Sequence, residues 1–202
     1  MLPRLYAILD TACFPNSEAL FSAAEELAAS GVTLLQYRNK SGNAREMLEQ
    51  ARELKRRVDA SVKLIMNDRS DLCLAAGFDG VHVGQEDLSP EGARKVIGEL
   101  LWLGVSTHNP GQINEADKTS ANYVAIGPVF ATASKANPDP VVGLEGVRKV
   151  RGLTRKPLVA IGGINRANCR SVIEAGADSV AVISDLMREP RKSAEDFLRI
   201  LG

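Results

Sequence analysis

The chain has 202 residues, enough for one substantial core and short for two. Its 25 basic and 25 acidic side chains cancel, which excludes a whole-molecule field that would recruit nucleic acid or anionic membrane, so any anion site must be local. The 45% hydrophobic content is ordinary for a soluble globular chain, and no apolar run approaches the ~20 residues of a membrane span.

The first apolar run, residues 5–9, ends at Asp10. Residues 17–30 are Ala-rich and helical in pattern, and Gly31 can end them in the left-handed conformation. The second run, 33–37, passes into Gln36-Tyr37-Arg38-Asn39-Lys40. Asn43, with Glu46 three residues on, opens an amphipathic helix through Met47, Leu48, Ala51, Leu54 and Val58. The third run, 63–66, ends in Asn67-Asp68-Arg69, and the fourth, 80–83, in Gly84-Gln85-Glu86-Asp87. Ser89-Pro90 caps the helix that follows. The fifth run, 102–105, gives Ser106-Thr107-His108, and Asn109-Pro110 starts another helix. The sixth, 123–126, leads into the longest irregular stretch, 128–142, which carries Thr132, Ser134 and Lys135. Loops of that length are often functional. The seventh, 158–161, ends in Gly162-Gly163 and a helix start, and the eighth, 179–183, ends at Ser184.

Eight strand–helix units with no composition break predict an α/β chain folded as a single (β/α)8 TIM barrel over residues 1–202. The rival, an open doubly wound sheet, lacks its G-x-G-x-x-G fingerprint here. Cys13, Cys73 and Cys169 are odd in number and widely spaced, so reduced thiols are expected rather than a disulfide framework. With no leader pattern after Met1, a cytoplasmic location is expected.

In such a barrel, catalytic groups gather where strands end. Asp68 and Asp87 follow neighbouring strands and could share a cation such as Mg2+, which asks for only one or two carboxylates. They could equally cap a helix and close a turn, and the spacing leaves both readings open. Arg38, Lys40 and Lys135 at strand ends suit a local anion. Gly162-Gly163 lets a backbone approach a phosphate. His108 has the ordinary pKa of a general base but also sits at a helix start, whereas His82 falls inside a strand and points into the barrel.

The ordered set of strand-end motifs resembles the thiamine-phosphate synthase (thiamine-phosphate pyrophosphorylase) family. The matching runs are Gln36-Tyr37-Arg38-Asn39-Lys40, Met66-Asn67-Asp68-Arg69, Gly80-Val81-His82-Val83-Gly84-Gln85-Glu86-Asp87, Gly104-Val105-Ser106-Thr107-His108, Gly127-Pro128-Val129-Phe130-Ala131-Thr132-Ala133-Ser134-Lys135, Ile161-Gly162-Gly163-Ile164 and Ile183-Ser184. The resemblance implies a transferase that condenses a hydroxymethylpyrimidine diphosphate with a thiazole phosphate and releases pyrophosphate, with Mg2+ as cofactor. It implies a diphosphate site of Gln36, Tyr37, Arg38, Asn39, Lys40, Asn67 and Lys135, with Ser106 near the pyrimidine and leaving group. Arg38, Lys40, Ser106 and Lys135 would carry the catalysis. Asp68 and Asp87 would hold the metal, and Thr132, Ser134, Gly163, Ile183 and Ser184 the thiazole phosphate. Asn39 stands where the family commonly has an acidic residue, and Ser134 where it has Thr. The partners implied are small molecules, with no nucleic acid and no membrane; a homo-oligomer is left open. The alternatives are a thiazole tautomerase using His108 and a non-catalytic barrel that binds a phosphorylated metabolite.

Overall fold

Eight short strands pair in chain order, all parallel, and the first closes on the last to make one barrel. The computed structural model describes residues 2–132 and 139–202. The strands are β1 (Leu5–Asp10), β2 (Leu34–Arg38), β3 (Lys63–Asn67), β4 (Gly80–Val83), β5 (Trp102–Thr107), β6 (Tyr123–Ile126), β7 (Leu158–Ile161) and β8 (Ser179–Val182). The helices around them are α1 (Ser17–Ala29), α2 (Ala44–Arg57), α3 (Ser70–Ala76), α4 (Pro90–Ile97), α5 (Pro110–Asp117), α6 (Gly143–Arg151), α7 (Cys169–Glu174), α8 (Ser184–Met187) and α9 (Pro190–Leu201). This is the predicted (β/α)8 barrel. No described helix is long and apolar enough to cross a membrane.

Several strands outrun their apolar stretches. β1 continues to Asp10, β3 to Asn67 and β5 to Thr107. The ladder is made of backbone groups, so polar side chains at the strand ends do not stop it. The main-chain bonds from Asp68 N–H to His82 O at 2.8 Å and from Gly127 N–H to Thr107 O at 3.2 Å carry the pairing to the rim. β8 instead stops at Val182, one residue short of the apolar run.

Alternation of side chains splits the core into two layers. Leu5, Ala7 and Leu9 of β1, Leu35 and Tyr37 of β2, and Val124 and Ile126 of β6 belong to the layer between barrel and helices. Tyr6, Ile8, Leu34, Ile65, Tyr123, Ala125, Val159 and Ala181 fill the interior. The capping signals act as expected. Asn43, Ser89 and Asn109 each accept a bond from the backbone N–H three residues on, at 3.0–3.1 Å. Each such cap contributes about 1 kcal/mol. Pro90 and Pro110 each occupy the first turn.

Candidate active site

Strand parity decides which of the predicted residues reach the barrel mouth. On β2, Gln36 and Arg38 lie on the interior side with Leu34. Arg38 pairs in register with Asp10 of β1, and their side chains form a largely buried ion pair. Asp10 thus holds the guanidinium at the rim while leaving it further N–H donors for an anion. Lys40, on the loop beyond, reaches across to Asp68.

Asp68 is the one described residue other than glycine with a positive φ, 63°. That region is costly for a side chain with a Cβ, and such strain gathers at functional positions. Its carboxyl pKa is raised, first by burial and then by the neighbouring Asp87 carboxyl, against the opposing pull of Lys40. Asp68 does not cap α3; Arg69 takes that position without a side-chain cap. Asp87 does close a turn, since its Oδ2 accepts the Gly84 N–H at 2.7 Å. The turn and the approach to Asp68 therefore coexist. Beside them, the buried Asn67 side chain has an Nδ2 with no hydrogen-bond partner. A buried amide left this way costs about 1–3 kcal/mol.

On β4 and β5, His82 points inward as expected, and its Nε2 lies 2.8 Å from Ser106 Oγ. The Gln85 amide donates to the Ser106 carbonyl at 2.6 Å, tying loop four to strand five. Arg38, Lys40, Asn67, Asp68, Asp87 and Ser106 thus converge at one end of the barrel.

Two predicted binding residues face elsewhere. Tyr37 has the outward parity, and its hydroxyl donates to Gln50 of α2 at 2.5 Å. The side chain is fully buried, and burial pushes its pKa up to about 12. Asn39 shuts the loop: its Oδ1 accepts from Ser41 N–H at 3.0 Å and Gly42 N–H at 2.7 Å. Its Nδ2 donates to the Tyr37 hydroxyl and to Gln50, both at 3.2 Å. Both side chains spend their hydrogen-bonding capacity on holding loop two rather than on the mouth.

The far side of the rim is knitted together by loops six to eight. Val129 and Phe130 N–H groups bond to the carbonyls of Ile161 and Gly162 at 2.9 and 3.0 Å. A Cβ on Gly163 would meet Ala131 O at 2.5 Å and Phe130 Cβ at 2.7 Å, and φ there is 65°. Glycine is thus required by the packing of loop six on loop seven. The pair does not open a helix directly, because α7 starts only at Cys169 after a turn closed by Asn165 and Asn168. Arg166 of loop seven grips Asp185 of α8 through its backbone N–H at 2.9 Å and its guanidinium at 3.2 Å. Ile183 packs against the interior cluster, and exposed Ser184 begins α8. Thr132 is partly buried; Ser134 and Lys135 lie outside the described residues. His108 Nδ1 sits 2.6 Å from Gly127 O and 3.5 Å from the Asp139 carboxylate, so this imidazole bridges loops five and six.

Sequence reasoning passed over three residues. Along the sequence Asp10 reads only as a strand end, and Tyr6 and Tyr123 only as members of apolar runs. The signal for all three was their parity, since each lies on the inner side of its strand with a polar tip. A cavity of about 540 Å3 opens on the helix side of the barrel, between loop four and α5, lined by Gly84, Gln85, Asp87, Leu88, Asn109 and Gln112.

A family model described as thiamine monophosphate synthase matches residues 5–186. A thiamine-phosphate synthase of Koribacter versatilis is 64% identical over 99% of this chain and 96% of its own length. Another, from Chloroflexus aurantiacus, is 44% identical over 90% of this chain and 83% of its own. The solved thiamine phosphate pyrophosphorylase of Pyrococcus furiosus superposes with a TM-score of 0.87 at 36% identity, covering 98% of this chain and 95% of that one. The tautomerase and the non-catalytic barrel find no support in these likenesses.

Proposed function

The chain belongs to the thiamine monophosphate synthase family, and from that premise we propose that its rim joins a hydroxymethylpyrimidine diphosphate to a thiazole phosphate. The carrying observation is the convergence of Asp68, Asp87, Lys40 and the partnerless amide of Asn67 beside Arg38 and Ser106. In the reaction the methylene–oxygen bond breaks and its electron pair leaves on pyrophosphate. The thiazole nitrogen lone pair forms the new carbon–nitrogen bond, giving a thiazolium. Atoms and charge balance with no oxidant and no obligatory proton transfer.

Mg2+ fits the residues present. No group of three or more candidate ligands occurs among the described residues, but Asp68 and Asp87 supply the one or two carboxylates this ion asks for. Their mutual repulsion is the kind a cation relieves. When bound, Mg2+ would offset the charge that gathers on the departing diphosphate. Arg38, steadied by Asp10, and Lys40 would grip the same oxygens as fork and point donors respectively. Gln36, Asn67 and Ser106 would fix the pyrimidine diphosphate, and Lys135 would add a further cation. Gly163, Ile183 and Ser184, with Thr132 and Ser134, would hold the second phosphate and so orient the nucleophile without taking part in bond breaking.

Incubation of the protein with both phosphorylated substrates and Mg2+ should yield thiamine phosphate by mass spectrometry. Excess EDTA should stop it, and Asp68→Ala should be inactive. Full turnover in EDTA would remove the metal from the mechanism. Conversion of the thiazole substrate alone would return the tautomerase reading.

A further inference from the structure

A relay of five hydrogen-bonded side chains crosses the barrel interior below the site. Gln36 Nε2 donates to the Tyr6 hydroxyl at 2.7 Å. The Tyr6 and Tyr123 hydroxyls are 3.0 Å apart, and their rings meet edge to face. The Tyr123 hydroxyl is 3.0 Å from His82 Nδ1, and His82 Nε2 is 2.8 Å from Ser106 Oγ. The relay links five strands, β1, β2, β4, β5 and β6, through residues far apart in sequence. The barrel makes room for it at Gly104, where a Cβ would lie 2.1 Å from Tyr123 Cζ and 2.4 Å from His82 Nδ1.

Counting protons gives the relay a direction. Each phenol has one proton, and a neutral imidazole has one N–H. All three rings are buried in the barrel interior, where the uncharged form of each is favoured, so every link keeps that count at neutral pH. Suppose His82 carried its proton on Nδ1. It would donate to Tyr123, and Tyr123 to Tyr6. Tyr6, already receiving from Gln36, would then hold a buried proton with neither of its two partners free to accept it. The opposite order satisfies every donor. Tyr6 donates to Tyr123, Tyr123 to His82 Nδ1, and His82 Nε2–H to Ser106 Oγ. The Ser106 proton is then the one left over, and Ser106 is partly open to the rim.

We propose that Tyr6, Tyr123 and His82 are positioning residues that fix the Ser106 hydroxyl as a hydrogen-bond donor toward the barrel mouth. The inference rests on the reading above that puts the diphosphate-bearing substrate there. The donor is pre-aimed, so no reorganisation is needed as charge develops on the leaving group.

The tautomer can be read on the unaltered protein. The chain has two histidines, so 15N-histidine NMR with His108→Gln as the assignment control isolates His82. Its proton is expected on Nε2; a proton on Nδ1 overturns the proposal, whether or not any relay variant folds. Tyr123→Phe should lower kcat about tenfold at unchanged KM for the thiazole phosphate, with a near-native circular dichroism spectrum. In an Ser106→Ala background the same change should add nothing, because its effect passes through Ser106. An equal loss in both backgrounds sinks the relay. Failure of the native protein to make thiamine phosphate would instead sink the assigned reaction, leaving the tautomer result to stand or fall by itself.

Discussion

Asn39 shows how one side chain can decide a loop. From a buried position it accepts from two backbone N–H groups and donates to the buried Tyr37 hydroxyl and Gln50. Alanine there leaves those partners without their bonds, at about 2 kcal/mol. Asn39→Ala should therefore lower the melting temperature by roughly 4–8 °C, measured by thermal circular dichroism. Asn39→Asp keeps both acceptors of the turn and should fall between the two. An Asp variant as unstable as the Ala variant would show that donation to Tyr37 and Gln50, and not the turn, holds the loop. The motif around Asn39 was legible in the sequence, but its orientation was not. Tyr37 and Asn39 sat in the same run as Arg38 and Lys40, and the run alone does not say which side chains turn under α2. Only the pairing of Asp10 with Arg38 fixes the parity, and that pairing joins residues on different strands.

At the scale of elements, the two ends of the strands carry different duties. Polar residues at the C-terminal ends were readable one strand at a time, because each interrupts an apolar run. The clamps at the opposite end were not, since they join carbonyls to a side chain on a distant turn. Arg94 of α4 is the main one: buried, it donates to Gly98 O at 2.6 Å, Leu101 O at 2.8 Å, Ser120 O at 3.0 Å and Asn122 Oδ1 at 2.7 Å. It thereby fastens the end of α4 to the starts of β5 and β6. Arg94→Met keeps the aliphatic stem but strands four acceptors, at about 3 kcal/mol. For a chain of this length that is roughly 6–12 °C in melting temperature. Since Arg94 lies away from the mouth, kcat at 25 °C should stay within about twofold of the native value. A large loss of kcat in a fully folded Arg94→Met protein would break the division between a stability face and a catalytic face.

For the whole molecule, the chain has three tyrosines, and all of them are buried to 1% exposure or less. Two belong to the barrel interior and one to the layer under the helices, so together they sample both parts of the core. Burial raises Tyr37 from 10.0 to about 12, and it raises Tyr6 and Tyr123 as well. A phenol whose folded pKa lies above its unfolded value adds stability that is fully present below the unfolded pKa. That stability drains away as pH climbs through the folded pKa. The window for Tyr37 therefore opens near pH 10.0 and runs to about 12, with the two interior phenols extending it upward. Three such groups in one cooperative core act in the same direction, so alkali should unfold the protein before it ionises any tyrosine in the folded state. Phenolate absorbance is expected to stay flat through pH 10 and then rise in one step that coincides with loss of the far-ultraviolet circular dichroism. A tyrosine that titrates with an ordinary midpoint while the helical signal is intact would mean that one of these rings reaches water in the folded chain. If that ring is Tyr6 or Tyr123, the sealed interior on which the Ser106 relay depends is lost with it.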